Sequence, residues 1–141
     1  MSHFKIEPCE KNNIAPIIEG INSYNLSKVA ALSPTWTPLD FVIKNESGNE
    51  IAGILAGIGY WNGLEIKILW VDENYRKKGL GTKLLQHLEK IAKEKGVTVA
   101  MLDTFDFQAE EFYIKNGYLS IGEVKNFPSG HRRIYFSKRL T

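Results

Sequence analysis

The feature that most constrains this chain is the stretch from Ile66 to Gly96, where an apolar strand pattern runs through a glycine turn into a long amphipathic helix. Ile66-Lys-Ile-Leu-Trp-Val71 supplies the strand, Asp72 to Tyr75 a polar turn, and Arg76, Lys77 and Lys78 a run of cations, before Gly79 and Gly81 lead into the helix. Leu80, Leu84, Leu85, Leu88, Ile91 and Ala92 fall on one helical stripe, and Gly96 suits a left-handed C-cap. Glu89 stands four residues before Lys93, the favourable orientation for an ion pair along the helix. Val97 to Leu102 is then a continuous apolar run, the pattern of a strand covered on both faces. Strand, helix and strand at this spacing form a crossover, so the two strands are predicted to be parallel.

The cations sit where they conflict with the helix. Each faces the positive end of the macrodipole, at a cost of a few tenths to about 1 kcal/mol. An anion at that point reverses the conflict, because unpaired backbone N–H groups, the dipole and the side chains all favour it. Arg76 to Thr82 therefore reads as a phosphate-binding turn. It lacks the Gly-Lys-Ser/Thr ending of a P-loop and the three glycines of a dinucleotide fingerprint, which argues against a nucleotide-binding protein.

The flanking segments build a layered α+β domain. Phe4 to Cys9 suits a first strand, and Asn12 or Asn13 can cap a helix carrying Ile14, Ile17, Ile18 and Ile21, with Tyr24 and Asn25 near its end. Ser33 to Pro38 is a two-proline loop bearing Trp36, which either lids the core edge or lines a substrate site. Phe41 to Lys44, Ile51 to Tyr60 and Leu64 to Val71 read as an antiparallel meander, with turns at Asn45 to Asn49 and Trp61 to Gly63. Gly53, Gly57 and Gly59 inside the second of these strands suggest a bulge or a close approach. Simple alternation puts Leu64, Ile66, Ile68 and Trp70 on one face and Glu65, Lys67, Leu69 and Val71 on the other. Asp103 to Asp106 reads as a loop, Gln108 to Asn116 as a short helix closed by Gly117, and Tyr118 to Leu140 as a final hairpin. The fold expected is one domain over residues 1–141, with a mixed sheet and helices on both faces.

Composition excludes more than it assigns. Net charge is +2 with both signs interspersed, so no concentrated basic face points to nucleic acid. A single cysteine, Cys9, rules out an intrachain disulfide and reads as a buried small hydrophobe; no pattern suggests a metal site. No apolar run reaches transmembrane length and the N-terminus lacks a signal core, so no membrane association is expected and the location expected is cytoplasmic.

Arg76-Lys-Lys-Gly-Leu-Gly81 resembles the signature of the GNAT superfamily of acyl-CoA-dependent N-acyltransferases, and Ala109-Glu-Glu-Phe-Tyr-Ile-Lys-Asn-Gly-Tyr118 resembles that family's second conserved helix. Asn22 to Asn25, Leu102 to Phe105, Phe107 to Ala109 and Pro128 to His131 are similar to a subgroup of small bacterial members. The resemblance implies a mostly antiparallel sheet with a central, splayed parallel strand pair. It implies acetyl-CoA as co-substrate, its pantetheine arm on the main chain of Leu69, Trp70 and Val71, and its pyrophosphate on Arg76, Lys77, Lys78, Gly79, Leu80, Gly81 and Thr82. The second block adds Gln108, Phe112 and Lys115 to the cofactor site and Tyr113 as general acid for the leaving thiolate. Glu65 stands where some members carry a general base; Asp72, Glu73 or water are alternatives. Asp106 replaces an asparagine found in many members, so it either caps the short helix or leaves the contact to Gln108. The acceptor is expected to be a primary amine of a small molecule or a protein, with Tyr24, Asn25, Trp36 and His131 as candidate contacts. Arg132 and Arg133 either favour an acidic acceptor or solvate the surface. A dimer is common in the family. The competing reading is an acyl-CoA-binding sensor that keeps the fold without turnover.

Overall fold

The computed structural model describes residues 3–33 and 35–141, so Pro34 of the expected two-proline loop lies outside the described residues. The chain forms two compact units, Met1–Ala31 and Leu32–Thr141.

In the first unit a 3-10 turn, Lys11–Asn13, leads into α1, Ile14–Lys28. The Glu10 N–H donates to Asn13 Oδ1 at 2.9 Å and the Asn13 N–H donates to the Glu10 carbonyl at 2.9 Å, which fixes the helix entry. Tyr24 and Asn25 lie in the last turns, and the Val29 N–H closes the helix on the Asn25 carbonyl at 2.9 Å. Phe4 to Cys9 is irregular rather than a strand. A strand holds only through a partner ladder, and Pro8 removes a donor from so short a run. Cys9 is exposed, not buried, with its thiol directed at the Glu10 carbonyl.

The second unit is built on a seven-stranded sheet: β1 Thr37–Pro38, β2 Phe41–Lys44, β3 Glu50–Ile58, β4 Gly63–Val71, β5 Val99–Phe105, β6 Leu119–Lys125 and β7 Arg132–Arg139. Its order is β1-β3-β4-β5-β7-β6, with β2 also pairing to β3. Every pairing is antiparallel except β4 with β5. The crossover helix α2, Leu80–Glu94, buries Leu84, Leu85, Leu88 and Ala92 against Ile54, Ala56, Leu64 and Leu102. The short helix α3, Glu110–Lys115, adds Tyr113 to the same core.

Three local readings change. β5 runs on to Phe105, because Asp103, Thr104 and Phe105 pair with Tyr135, Ile134 and Arg133. Its outer face is open at Val99 and Met101, so its apolar run does not mean cover on both sides. Glu89 is buried and turns inward: it accepts from the Tyr118 hydroxyl at 2.7 Å and from Lys138 Nζ at 2.9 Å, rather than pairing with Lys93. A carboxylate this deep is stable only where such partners satisfy it.

The most consequential change is in β4. Leu55 pairs with Ile68 but Ala56 pairs with Ile66, so Lys67 is an extra residue, a β-bulge. Paired residues share a face. Leu64, Ile66, Leu69 and Val71 thus lie with Ile58, Ala56, Ile54 and Ala52 on the core side, while Glu65, Ile68 and Trp70 lie on the other. Simple alternation fails because one inserted residue inverts everything after it. Glu65 does not share a face with Leu69 and Val71.

Candidate active site

The parallel strands β4 and β5 pair only at Gly63 with Val99, Leu64 with Ala100 and Glu65 with Met101. Beyond Glu65 and Met101 they part, although β4 stays on β3 as far as Val71 and β5 stays on β7 as far as Phe105. The result is a fork. Its closed end is Glu65 and Met101, and its open arm on β4, from Ile66 to Val71, is about 20 Å long. Along that arm the β5-facing main-chain groups of β4 have no strand partner.

At the mouth of the fork the chain turns into α2. The Asp72 N–H donates to the Ile51 carbonyl at 2.8 Å and its carboxylate accepts from the Asn74 N–H at 2.8 Å, so Asp72 braces the turn. Arg76 Nε donates to the Val71 carbonyl at 3.1 Å and braces the same turn from the other side. Lys77 has φ of 63° and Gly79 φ of 78°, so the backbone curls before the helix starts. The first helical hydrogen bond of α2 runs from the Lys83 N–H to the Gly79 carbonyl at 3.0 Å, which leaves the Leu80, Gly81 and Thr82 amides at the helix start without helical acceptors. Among the described residues none of Arg76, Lys77 and Lys78 is ion-paired. The two glycines serve different ends. Gly79 supplies the left-handed turn, whereas a Cβ on Gly81 would lie 3.2 Å from the Phe112 ring and 3.8 Å from Val71 Cγ2.

That contact joins the two sequence blocks. Phe112 rests on Gly81 at the start of α2, and Tyr113 follows it into the core beside Tyr118 and Phe136. Burial pushes the Tyr113 phenol up to about 12. Its hydroxyl has no hydrogen bond to protein, and among the described residues no sealed side-chain oxygen or nitrogen lacks a partner. The ring is therefore packed while its tip reaches the surface. Lys115 closes α3 and Gln108 precedes it, both exposed. Gln108 Oε1 accepts from Thr104 Oγ1 at 3.0 Å and from the Phe105 N–H at 2.9 Å, which orients the side chain and leaves its amide donors outward.

Asp106 does not cap α3, whose N-cap is Ala109. It clasps the β6–β7 turn instead: Oδ1 is 2.9 Å from His131 Nδ1 and Oδ2 accepts from the Arg132 N–H at 3.1 Å. Arg132 is held by Glu123 at 2.7 Å and Glu110 at 3.0 Å, and Arg133 by Asp103 at 2.8 Å. Both arginines are thus engaged within the protein. His131 sits at the far end of β5, about 17 Å along the strand from Met101. Tyr24 and Asn25 belong to the first unit.

At the closed end of the fork lies an apolar cleft of about 340 Å³, bordered by Trp36, Tyr60, Trp61, Glu65, Val99 and Met101. Of these, sequence reading named only Trp36 and Glu65. The signal for Trp61 was its place in a tight turn beside Gly59; Val99 and Met101 gave none, since their exposure follows from what fails to cover β5.

A strand fork, an anion-ready turn and a tyrosine helix packed on that turn form one arrangement. The Acetyltransferase (GNAT) family profile matches residues 19–118. The chain belongs to the GNAT acetyltransferase family. It is 38% identical over 82 residues to blasticidin-S acetyltransferase of Streptomyces morookaense; the match takes in 57% of this chain and 60% of that protein's length. An acetyltransferase structure from Bacillus cereus ATCC 14579 superposes with a TM-score of 0.91 at 38% identity, covering 99% of each chain. A Bacillus anthracis structure holding acetyl coenzyme A shares the fold, with a TM-score of 0.65 at 24% identity over 77% of this chain and 64% of that one. For this GNAT member, no helix among the described residues is long and apolar enough to cross a membrane, and no cluster of three or more metal-ligating side chains occurs there.

Proposed function

We propose that this protein transfers an acetyl group from acetyl-CoA to a primary amine of a small molecule, with residues 1–141 acting as one catalytic domain. The observation that carries the reading is the fork between β4 and β5, open from Glu65 and Met101 to the bare amides at the start of α2. The pyrophosphate takes the N–H groups of Gly79, Leu80, Gly81 and Thr82, with Lys77 and Lys78 adding charge. Arg76 shapes that turn through Val71 more than it binds phosphate. The pantetheine arm lies along Leu69, Trp70 and Val71, which brings the thioester towards the closed end; Gln108, Phe112 and Lys115 border the arm on its other side. Kinship with blasticidin-S acetyltransferase supports a small-molecule acceptor over a protein amine.

The chemistry is direct. The amine lone pair forms a C–N bond to the thioester carbonyl, and an oxyanion develops that a main-chain N–H of the unpaired β4 arm stabilises. The C–S bond then breaks and the leaving thiolate takes the Tyr113 proton. The ammonium proton passes to the Glu65 carboxylate or to water, and solvent returns a proton to Tyr113. Net products are the N-acetyl amine and free CoA thiol. Because its pKa is raised to about 12, Tyr113 is protonated at neutral pH, as an acid must be. Glu65 faces away from the core, on the side of Ile68 and Trp70, and borders the cleft rather than the helices. The reading carries a cytoplasmic location; a homodimer stays compatible with it.

The test is thiol release from acetyl-CoA against a panel of small primary amines, with mass detection of the N-acetyl product. Stoichiometric thiol and acetyl amine are expected. Acetyl-CoA bound tightly, with no thiol released for any amine, would make the protein a binding module and sink the enzyme assignment.

A further inference from the structure

We propose that the acceptor enters through the apolar cleft at the closed end of the fork, and that Trp36 and Trp61 select a compact monoamine carried on a flat, weakly polar body. The inference rests on the acetyl-transfer reading and deepens it.

Position is the first argument. The last β4–β5 pair, Glu65 with Met101, is both the end of the fork and part of the cleft lining. An acyl group delivered along the fork therefore faces the cleft directly. Shape is the second. The Trp36 indole lies against Gly57, where an added Cβ would overlap its ring atoms, and against Gly59, where the nearest ring atom would be 3.9 Å away. Gly57 at the end of β3 and Gly59 just past it make a smooth floor, and the indole lies on it as a flat wall. A volume of about 340 Å³ falls at the small end of ligand pockets, which suits a compact molecule.

Chemistry is the third argument. The lining is almost wholly carbon, and Glu65 is its one carboxylate. An incoming ammonium meets that carboxylate, the one anionic group of the lining. Its body meets Trp61, Val99 and Met101, which reward apolar surface and would strand hydroxyls without partners. Lys67 Nζ lies 4.6 Å from the centre of the Trp36 ring, so a second positive charge on the ligand approaches a like charge. A polyamine or an amino sugar is thereby disfavoured against a monoamine on a flat ring.

Steady-state kinetics with 2-phenylethylamine, spermidine and glucosamine as acceptors test this, on the intact protein and on Trp36→Ala and Trp61→Ala. Expected is a kcat/KM for 2-phenylethylamine about tenfold or more above the others. Each variant should raise its KM about tenfold while the KM for acetyl-CoA moves less than about twofold. Tryptophan fluorescence should be quenched by 2-phenylethylamine alone, independently of turnover. Preference for spermidine or glucosamine, an unchanged KM for 2-phenylethylamine in both variants, or no quenching and no acetylation of 2-phenylethylamine each overturns the proposal while acetyl transfer still stands. Failure to bind acetyl-CoA overturns the underlying reading instead. A melting temperature for each variant separates lost recognition from lost folding.

Discussion

Tyr113 combines two demands that usually conflict. Its ring is part of the core, in edge contact with Phe112 and Tyr118, yet its hydroxyl stays unbonded and reachable. Burial disfavours the phenolate, so the group keeps its proton up to about 12. Tyr113→Phe removes the proton and little else. We expect kcat to fall about a hundredfold with acetyl-CoA affinity unchanged, measured by steady-state rates and equilibrium binding. The wild-type kcat should show no descending limb between about pH 8 and 10, since the acid is still protonated there; a limb near the ordinary phenol value of ~10 that vanishes in Tyr113→Phe would contradict the raised pKa. Tyr113 was legible in sequence from its Phe-Tyr context. Its burial was not, because that depends on Phe136 and Tyr118 arriving from later elements.

Among the elements, the start of α2 and the bulge in β4 do different work. The α2 amides and the neighbouring cations suit an anion, which the helix itself favours. Gly81→Glu is a poor probe of it, because the new side chain would start against Phe112. Thr82→Glu is better. A carboxylate in the first turn of a helix stabilises it by a few tenths of a kcal/mol, so the variant should melt no lower than the parent. It should nonetheless raise the KM for acetyl-CoA about tenfold or more through repulsion of the pyrophosphate. Unchanged acetyl-CoA affinity in a folded Thr82→Glu protein would remove the turn as the phosphate site. The helix was readable from its stripe and glycines. The bulge was not: a strand pattern with one extra residue is indistinguishable from plain alternation until β3 sets the register, and only then do Leu69 and Val71 move to the core side, off the face of Glu65.

At the scale of the whole catalytic unit, one buried polar network ties α2 to the last strand and to the end of α3. Glu89 on α2 bonds Tyr118 and Lys138, and Lys138 also donates to the Asn116 carbonyl at 2.8 Å. Removing the carboxylate strands a cation and a hydroxyl together. Glu89→Ala should cost about 3 kcal/mol, seen as a melting temperature lower by about 10 °C. Burial and Glu89 both push the Tyr118 phenol up, and burial raises Tyr113. Below pH ~10 both phenols are neutral whether folded or unfolded. Above it the unfolded chain loses protons that the folded one keeps, so stability falls as pH rises. Thermal unfolding should hold steady from about pH 7 to 9 and drop beyond ~10, and Tyr118→Phe should flatten that drop.

The sequence by itself determined the crossover around α2, the cation turn, the tyrosine helix and the family, because each rests on residues close together in the chain. Periodicity, glycine placement and local charge act over one or two turns and need no partner to be read. Tertiary structure alone decided the length of the fork, the face of Leu69 and Val71, the inward turn of Glu89, the clasp of Asp106 on His131 and the cleft walled by Trp36, Trp61 and Met101. Each depends on register and on which strands pair, quantities set by contacts between residues tens of positions apart. Those contacts place the residues proposed here to receive the acetyl group.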